Sequence, residues 1–388
     1  MQSIRLSGAR PIILMLVLLA LAWAPQAKAI ESIAKQAILI ETTTGAVLFA
    51  KNADMPMPPS SMSKMMTVYM LFERLRDGSL IMEDTFSISE NAWRKGGAKS
   101  GGSTMFLIPG RKVRVEDLIR GIIVQSGNDA CIVVAEGLAS SEEAFAEEMT
   151  ARGKELGLKN SVFKNSTGWP DPEHLTTARD LAILAQRTIE DFPEFYHYYK
   201  ETEFSFNSIR QINRNPLLYR DIDVDGLKTG HTEDAGYGLA ASATKGDRRL
   251  ILVVNGLASK KDRRREPERL LSWGLREFNN YKLFSAGEEV TKAEVWLGKE
   301  AQVALIVEKE MLITLSRKAR RKMKVTVQFD TPIPAPIAKG QKVAKLVVTA
   351  PGFDNIEVPL IASRSVERLG LFGRLGTALK AIIWGESG

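Results

Sequence analysis

Ser61 and Lys64 place a hydroxyl and an amine three residues apart, a separation that puts both on one face of a helix and within hydrogen-bond reach. An amine held neutral there could take the serine's proton and turn the hydroxyl into a nucleophile. The spacing alone is not selective, because Ser32 with Lys35, Ser161 with Lys164 and Ser242 with Lys245 repeat it. Ser126-Gly127-Asn128 is also not unique, since Ser89-Glu90-Asn91 and Ser205-Phe206-Asn207 share its Ser-x-Asn form. Lys228-Thr229-Gly230 is rarer, although Lys99-Ser100-Gly101 meets a looser version. Order and context separate these sets.

The elements that must position the residues are legible around them. Ala37-Ile38-Leu39-Ile40 and Val47-Leu48-Phe49 read as two strands joined by a Thr-rich turn. Pro58 and Pro59 suit a helix entrance, and Met62, Met65, Met66, Tyr69, Met70 and Leu71 then recur at helical spacing. Residues 115–138 read as helix interrupted at Ser126-Gly127, and residues 142–156 as another helix. Thr177 with Asp180 resembles a helix start. Residues 238–243 and 249–255 flank Lys245-Gly246-Asp247 as an antiparallel hairpin, and a helix over 266–279 comes next. This mixed order predicts an α+β fold rather than a doubly wound one. Only the series Ser61 with Lys64, Ser126 with Asn128, and Lys228 to Gly230 then falls, in turn, at a Pro-preceded helix start, a helix break and the approach to a hairpin.

That series is the three-part signature of serine penicillin-interacting enzymes. The chain resembles the low-molecular-mass penicillin-binding proteins that act as D-alanyl-D-alanine carboxypeptidases (peptidase family S11). The likeness extends through residues 121–131 and 225–232, and through 102–110, 174–182 and 236–243. It covers about residues 37–284, and more loosely the remaining C-terminal segments. The resemblance implies a β-lactamase/transpeptidase-like catalytic domain, then a small all-β domain and a C-terminal amphipathic helix. It also implies an acyl-enzyme on Ser61, with Lys64 taking the proton and Ser126 and Asn128 relaying it to the leaving amine and holding the acyl chain. Lys228 would help keep Lys64 neutral, and the backbone N–H groups of Ser61 and His231 would form the oxyanion hole. Lys228, Thr229, Gly230 and His231 would bind the substrate, Lys228 and Thr229 through its terminal carboxylate with Arg265 as an added cation, and His174 matches a histidine in a loop near the site. The partners implied are a peptidoglycan stem peptide ending in D-Ala-D-Ala and β-lactams as covalent inhibitors.

Three other readings remain open. A class A-like β-lactamase would need a carboxylate to activate the deacylating water. Glu173 is the candidate, although its surroundings lack that class's Glu-x-x-Leu-Asn spacing. A DD-endopeptidase would use the same residues on cross-linked peptides. An inactive wall-binding scaffold would keep the fold without the reaction.

The rest of the chain bounds its setting. Its 388 residues, 26% charged and 44% hydrophobic, fit a folded protein of two domains. Arg5 and Arg10 precede an apolar run over 12–23 and then Ala27-Lys28-Ala29, the form of a cleavable signal peptide. The run of roughly a dozen residues is short for the ~20 a spanning helix needs. Losing residues 1–29 lowers the formal charge from +7 to +4, which makes nucleic acid a poor partner. The expected location is periplasmic, at the outer face of the inner membrane.

Residues 30–285 are expected to form the catalytic domain and residues 286–363 the all-β domain, from the strand-like runs 293–297, 303–307, 324–329 and 343–349. Residues 364–388 would form the membrane-associating helix. Leu369, Leu371, Phe372, Leu375, Leu379, Ile382 and Ile383 share one arc of it, and that arc could equally dock onto the β domain. The basic cluster at residues 317–324 could meet phosphate or anionic lipid, or stand as a solvated loop. Cys131 has no cysteine partner, and three histidines form no metal-ligand set, so no cofactor is expected.

Overall fold

The computed structural model describes residues 30–373 and 375. The expected signal segment, residues 1–29, therefore lies outside the described residues, as does most of the C-terminal helix.

The first sheet has five antiparallel strands: β1 (Gln36–Glu41), β2 (Val47–Lys51), β3 (Val224–Thr232), β4 (Gly236–Lys245) and β5 (Arg248–Leu257). They run in the order β2-β1-β5-β4-β3, which leaves the outer edge of β3 unpaired among the described residues. Alternation along the strands divides their side chains between two faces. Ile38, Ala240, Ile251 and Val253 join the large core built with the helices. Leu39 and Leu250 face the other way, against a helix over Lys260–Glu277 that brings Gly274 close enough for an added Cβ to clash with both.

At the centre of the main core, a 3₁₀ turn over Ser60–Ser63 runs straight into helix α1 (Lys64–Arg76). Met62, Met65, Met66, Tyr69, Leu71 and Phe72 are all fully buried, as expected of a helix apolar around most of its circumference. The expected helix break also appears: a π-turn over Gly121–Gln125 ends at Ser126, and a new helix runs over Asn128–Ala139. Thr177 caps the helix Ala178–Asp191 by accepting from the Asp180 N–H.

Three sequence expectations are corrected by this fold. The helix expected over 266–279 begins at Lys260, because Ser259 caps it by accepting from the Asp262 N–H at 3.0 Å. It ends at Glu277, and Phe278–Phe284 is a strand paired with Met311–Ser316 rather than part of the catalytic unit. The second domain thus starts near residue 278 instead of 286. Its six-stranded sheet buries Val295, Val303, Leu305, Leu346 and Leu360, with Ile313 and Leu315 from the adjoining pair. Finally, residues 364–370 are extended rather than helical. Val366 pairs with Ile337 and is buried in the β core, Arg368 pairs with Gly298, and helix begins only at Leu371. A β-branched side chain with a core position to fill outweighs the helical periodicity there. The basic cluster forms a short helix, Arg317–Arg321, capped by Ser316.

A carboxylate fastens the first sheet to the strand pair Phe278–Phe284 and Met311–Ser316. Glu41, fully buried on β1, accepts from the Thr44 N–H and hydroxyl at 2.8 Å, from Asn280 Nδ2 at 3.0 Å and from the Thr314 hydroxyl at 3.3 Å. Burial pushes its pKa up, but the donors together outweigh that and hold it below the usual carboxylate range. Among the described residues no helix is long and apolar enough to cross a membrane.

Candidate active site

Three elements bring the predicted side chains together. The turn entering α1 carries Ser61 and Lys64, the helix break carries Ser126 and Asn128, and β3 carries Lys228, Thr229, Gly230 and His231. Ser126 adopts a left-handed backbone, φ 64°, a strained state for a non-glycine residue that turns the chain sharply between π-turn and helix.

Lys64 is fully buried, and its Nζ lies 3.0 Å from Ser61 Oγ and 2.7 Å from Asn128 Oδ1, with the Thr167 carbonyl as a third close neighbour. Two of these three neighbours are carbonyl oxygens, which accept and cannot donate. A neutral amine therefore directs both N–H bonds to Asn128 and Thr167 and keeps its lone pair for the Ser61 hydroxyl. Burial is the main force lowering the Lys64 pKa to about 8, and nearby Arg214 adds to it. Lys228 is buried as well, and its Nζ donates to Ser126 Oγ at 2.9 Å. Burial first, then the charges of Lys64 and Arg214, hold its pKa well below the ordinary lysine value.

The Thr167 carbonyl is part of the site that the sequence motifs do not mark. Asn165 Oδ1 accepts from the Thr167 hydroxyl at 3.0 Å and from the N–H groups of Gly168 and Trp169 at 2.7 and 3.0 Å, folding this loop tightly. The Thr67 hydroxyl donates to the Ser166 carbonyl at 2.7 Å, which seats the loop on α1. Gly168 is required at that contact: a Cβ there would lie 1.9 Å from the Ser60 carbonyl, and its φ is +81°.

Asp129, beside the Ser126/Asn128 pair, is likewise unmarked by the motifs. Its fully buried carboxylate accepts from the Thr104 hydroxyl and from the N–H groups of Met105, Leu107 and Ala130, pinning residues 104–107 to the helix break.

The cleft in front of Ser61 encloses about 670 Å³ and is lined by Ser126, Thr229, His231, Arg214, Lys260 and Arg263, among others. Its cations surround a space suited to a carboxylate. Arg263, not Arg265, is the arginine of the run that reaches it: it donates to the Gly230 carbonyl at 3.3 Å and lies over the Tyr237 ring. Arg265 is exposed and outside the lining. Two residues along a helix turn a side chain by about 200°, so only one of the pair can face β3. His231 stacks on Tyr237 at 3.9 Å between ring centres. His174 is buried outside this cleft. Glu173 points to solvent, paired with Lys164 at 3.0 Å, and does not supply the carboxylate a class A β-lactamase needs. Among the described residues no group of side chains could hold a metal ion.

The chain is similar to known proteins along most of its length. The D-alanyl-D-alanine carboxypeptidase family, peptidase S11, matches residues 23–259, and the C-terminal domain of penicillin-binding protein 5 matches residues 278–368. The chain is 40% identical to the D-alanyl-D-alanine carboxypeptidase DacC of Escherichia coli K12, over 87% of this chain and 85% of that protein. It is 35% identical to DacF of Bacillus subtilis, over 87% of each. The crystal structure of penicillin-binding protein 5 from Haemophilus influenzae superposes with a TM-score of 0.77 at 37% identity, covering 88% of this chain and 100% of that one.

Proposed function

Because the chain belongs to the D-alanyl-D-alanine carboxypeptidase family of serine peptidases, we propose that it removes the terminal D-Ala from peptidoglycan pentapeptides through an acyl-enzyme on Ser61. The observation that carries this is the buried Lys64 amine, 3.0 Å from Ser61 Oγ with two carbonyl oxygens as its other close neighbours. Ser61 Oγ attacks the carbonyl of the D-Ala-D-Ala bond as its proton passes to Lys64. The N–H groups of Ser61 and His231 receive the oxyanion. Ser126, bonded to Lys228 Nζ, relays the proton taken up by Lys64 to the departing D-Ala amine as the C–N bond breaks, which returns Lys64 to its neutral form, and water then hydrolyses the ester. Lys228, Thr229 and Arg263 hold the terminal carboxylate, Gly230 allows close approach to the turn carrying Ser61, and Asn128 holds the acyl chain. Penicillins enter by the same attack. No cofactor is needed for these steps.

Incubating the purified protein with monomeric and cross-linked muropeptides tests the reaction. D-Ala is expected predominantly from the monomers. Faster cleavage of the cross-links would make it an endopeptidase instead.

The reading extends to an exported protein that loses residues 1–29 and works in the periplasm, held to the outer face of the inner membrane by its C-terminal helix. Support comes from the first residues of that helix. Leu371, Phe372 and Leu375 are 70%, 92% and 60% exposed, which favours a lipid surface over docking onto the β domain. Since residues 364–370 belong to the β domain, the informative truncation removes 371–388. It should release the protein from membranes and leave the hydrolysis of soluble peptides within about twofold, because the cleft is lined by residues between Ser61 and Arg263. Continued membrane attachment would refute the anchor.

A further inference from the structure

Much of the chain's positive charge is gathered away from the cleft. Arg317, Lys318, Arg320, Arg321, Lys322 and Lys324 fall within eight residues, and together they exceed the +4 that residues 30–388 carry. All six are exposed. Lys282, Lys299, Lys345 and Arg364 of the same domain each pair with a glutamate, whereas none of the six has an ion pair among the described residues. Arg320 lies over the Tyr281 ring instead, at 5.4 Å.

The fold holds these cations together against their repulsion. Ala319, buried in the β core, seats the helix Arg317–Arg321, and the Ser316 hydroxyl accepts from the Ala319 N–H at 3.1 Å. With Ala319 turned inward, Arg317 and Arg321 stand four apart, as do Lys318 and Lys322. Like charges at that spacing destabilise a helix, and an anionic partner relieves them. Lys318 and Lys322 also line a cavity of about 360 Å³ with Ser316, Pro351 and Gly352, a concave seat for an anionic group.

Position selects the partner. Ile356 pairs with Val348, whose neighbour Thr349 pairs with Lys324, so the cluster lies at the Ile356 end of the strand Ile356–Ala362. Beyond the Ala362 end the chain reaches Arg368, paired with Gly298, and then the exposed Leu371 and Phe372. The strand separates its two ends by roughly 20 Å. The helix offered to lipid and the cluster therefore sit at opposite ends of the β domain.

The cluster's end is the one joined to the catalytic unit. Ser316 pairs with Phe278, whose carbonyl accepts from the Arg248 guanidinium at 2.6 Å. The helix Lys260–Glu277 runs from this junction to the cleft, which Lys260 and Arg263 line at its other end. Its 18 residues place cluster and cleft roughly 27 Å apart. A pentapeptide, at most about 18 Å long when extended, cannot occupy both. A polymer bearing many such peptides can, and each peptide ends in a carboxylate.

We propose that the cluster is a docking surface for the carboxylate-bearing wall polymer, gripping stem peptides other than the one in the cleft and keeping the protein on its substrate between turnovers. The assignment rests on the carboxypeptidase reading and adds to it a second contact with the polymer.

The full chain is compared with a variant carrying Arg317→Gln, Lys318→Gln, Arg320→Gln, Arg321→Gln, Lys322→Gln and Lys324→Gln. Both are acylated with benzylpenicillin, which closes the cleft, and sedimented with lipid-free, protein-free peptidoglycan sacculi. The variant should bind at least about tenfold more weakly, as the loss of six modest exposed contributions implies, and wild-type binding should weaken with added salt. Sacculi whose carboxyls have been converted to amides should retain neither protein. Without penicillin, both should release D-Ala from soluble N-acetyl-Lys-D-Ala-D-Ala with kcat/KM equal within about twofold, and both should bind phosphatidylglycerol vesicles equally through the C-terminal helix. Equal sedimentation of the two proteins, undiminished binding to amidated sacculi, or a soluble-peptide rate that falls in the variant would overturn the docking surface. Loss of vesicle binding in the variant would overturn it in favour of a lipid surface. Failure of the wild type to release D-Ala would instead overturn the carboxypeptidase reading, whatever the sedimentation shows.

Discussion

Ser61→Ala is expected to abolish covalent labelling by penicillin and to lower kcat for D-Ala release by at least ~10⁴-fold, the scale on which serine hydrolases lose activity with their nucleophile. The competing serines make this discriminating. Ser161 has the same spacing to a lysine, but its hydroxyl is buried between Asp180 Oδ2 and the Thr176 hydroxyl, both at 2.8 Å. Ser161→Ala should therefore cost roughly 1–3 kcal/mol of stability and leave the acylation rate intact. Ser242 is fully buried on β4 beside Arg249, and Ser32 precedes the first strand. Their alanine variants should acylate normally. Peptide mapping of the penicillin adduct decides the matter, and an adduct on any serine but Ser61 would end the assignment.

The motifs identify Ser61 directly yet leave other parts of the site unseen, and the reason lies in the kind of group each position contributes. Ser61, Lys64, Ser126, Asn128 and Lys228 act through their side chains and sit within short elements, so residue type and local spacing carry the information. The Thr167 acceptor is a backbone carbonyl, a group every residue has. Its placement depends on the local Asn165 turn and on Gly168 packing under Ser60, the latter a contact between segments about a hundred residues apart.

Arg263 illustrates a problem of phase. In a run of three arginines, the one facing β3 is set by where the helix starts, and that depends on the Ser259 cap. With the helix placed six residues late, Arg265 looks equivalent. The strand Ile356–Ala362 is hidden in the sequence because Pro359 interrupts it, though it pairs on both sides in the β domain. The layout of the catalytic sheet is more legible. Its strands alternate between two buried faces, and the hairpin between β4 and β5 has a turn of recognisable composition.

Lys64→Arg provides the second large effect, because it keeps positive charge and a hydrogen-bonding head while removing the lone pair. A guanidinium does not deprotonate in a protein, so a mechanism that needs the amine as base must fail at every pH. Acylation by penicillin should fall ~10³-fold, within the range attributed to general base catalysis. A role in positioning alone would predict a much smaller loss.

The wild-type pH profile separates the same alternatives without a substitution. With the Lys64 pKa lowered to about 8 by burial, the base is the deprotonated form, so the second-order acylation rate should rise with pH and level off above about 8. Below that point the neutral fraction falls tenfold per pH unit, and at pH 6 only about 1% of the amine is free to act. An ordinary exposed lysine would instead carry the rise to about 10.4. The ascending limb should be missing from Lys64→Arg. If that variant kept a limb near pH 8, some other group would be titrating, and Lys64 would no longer stand as the base that activates Ser61.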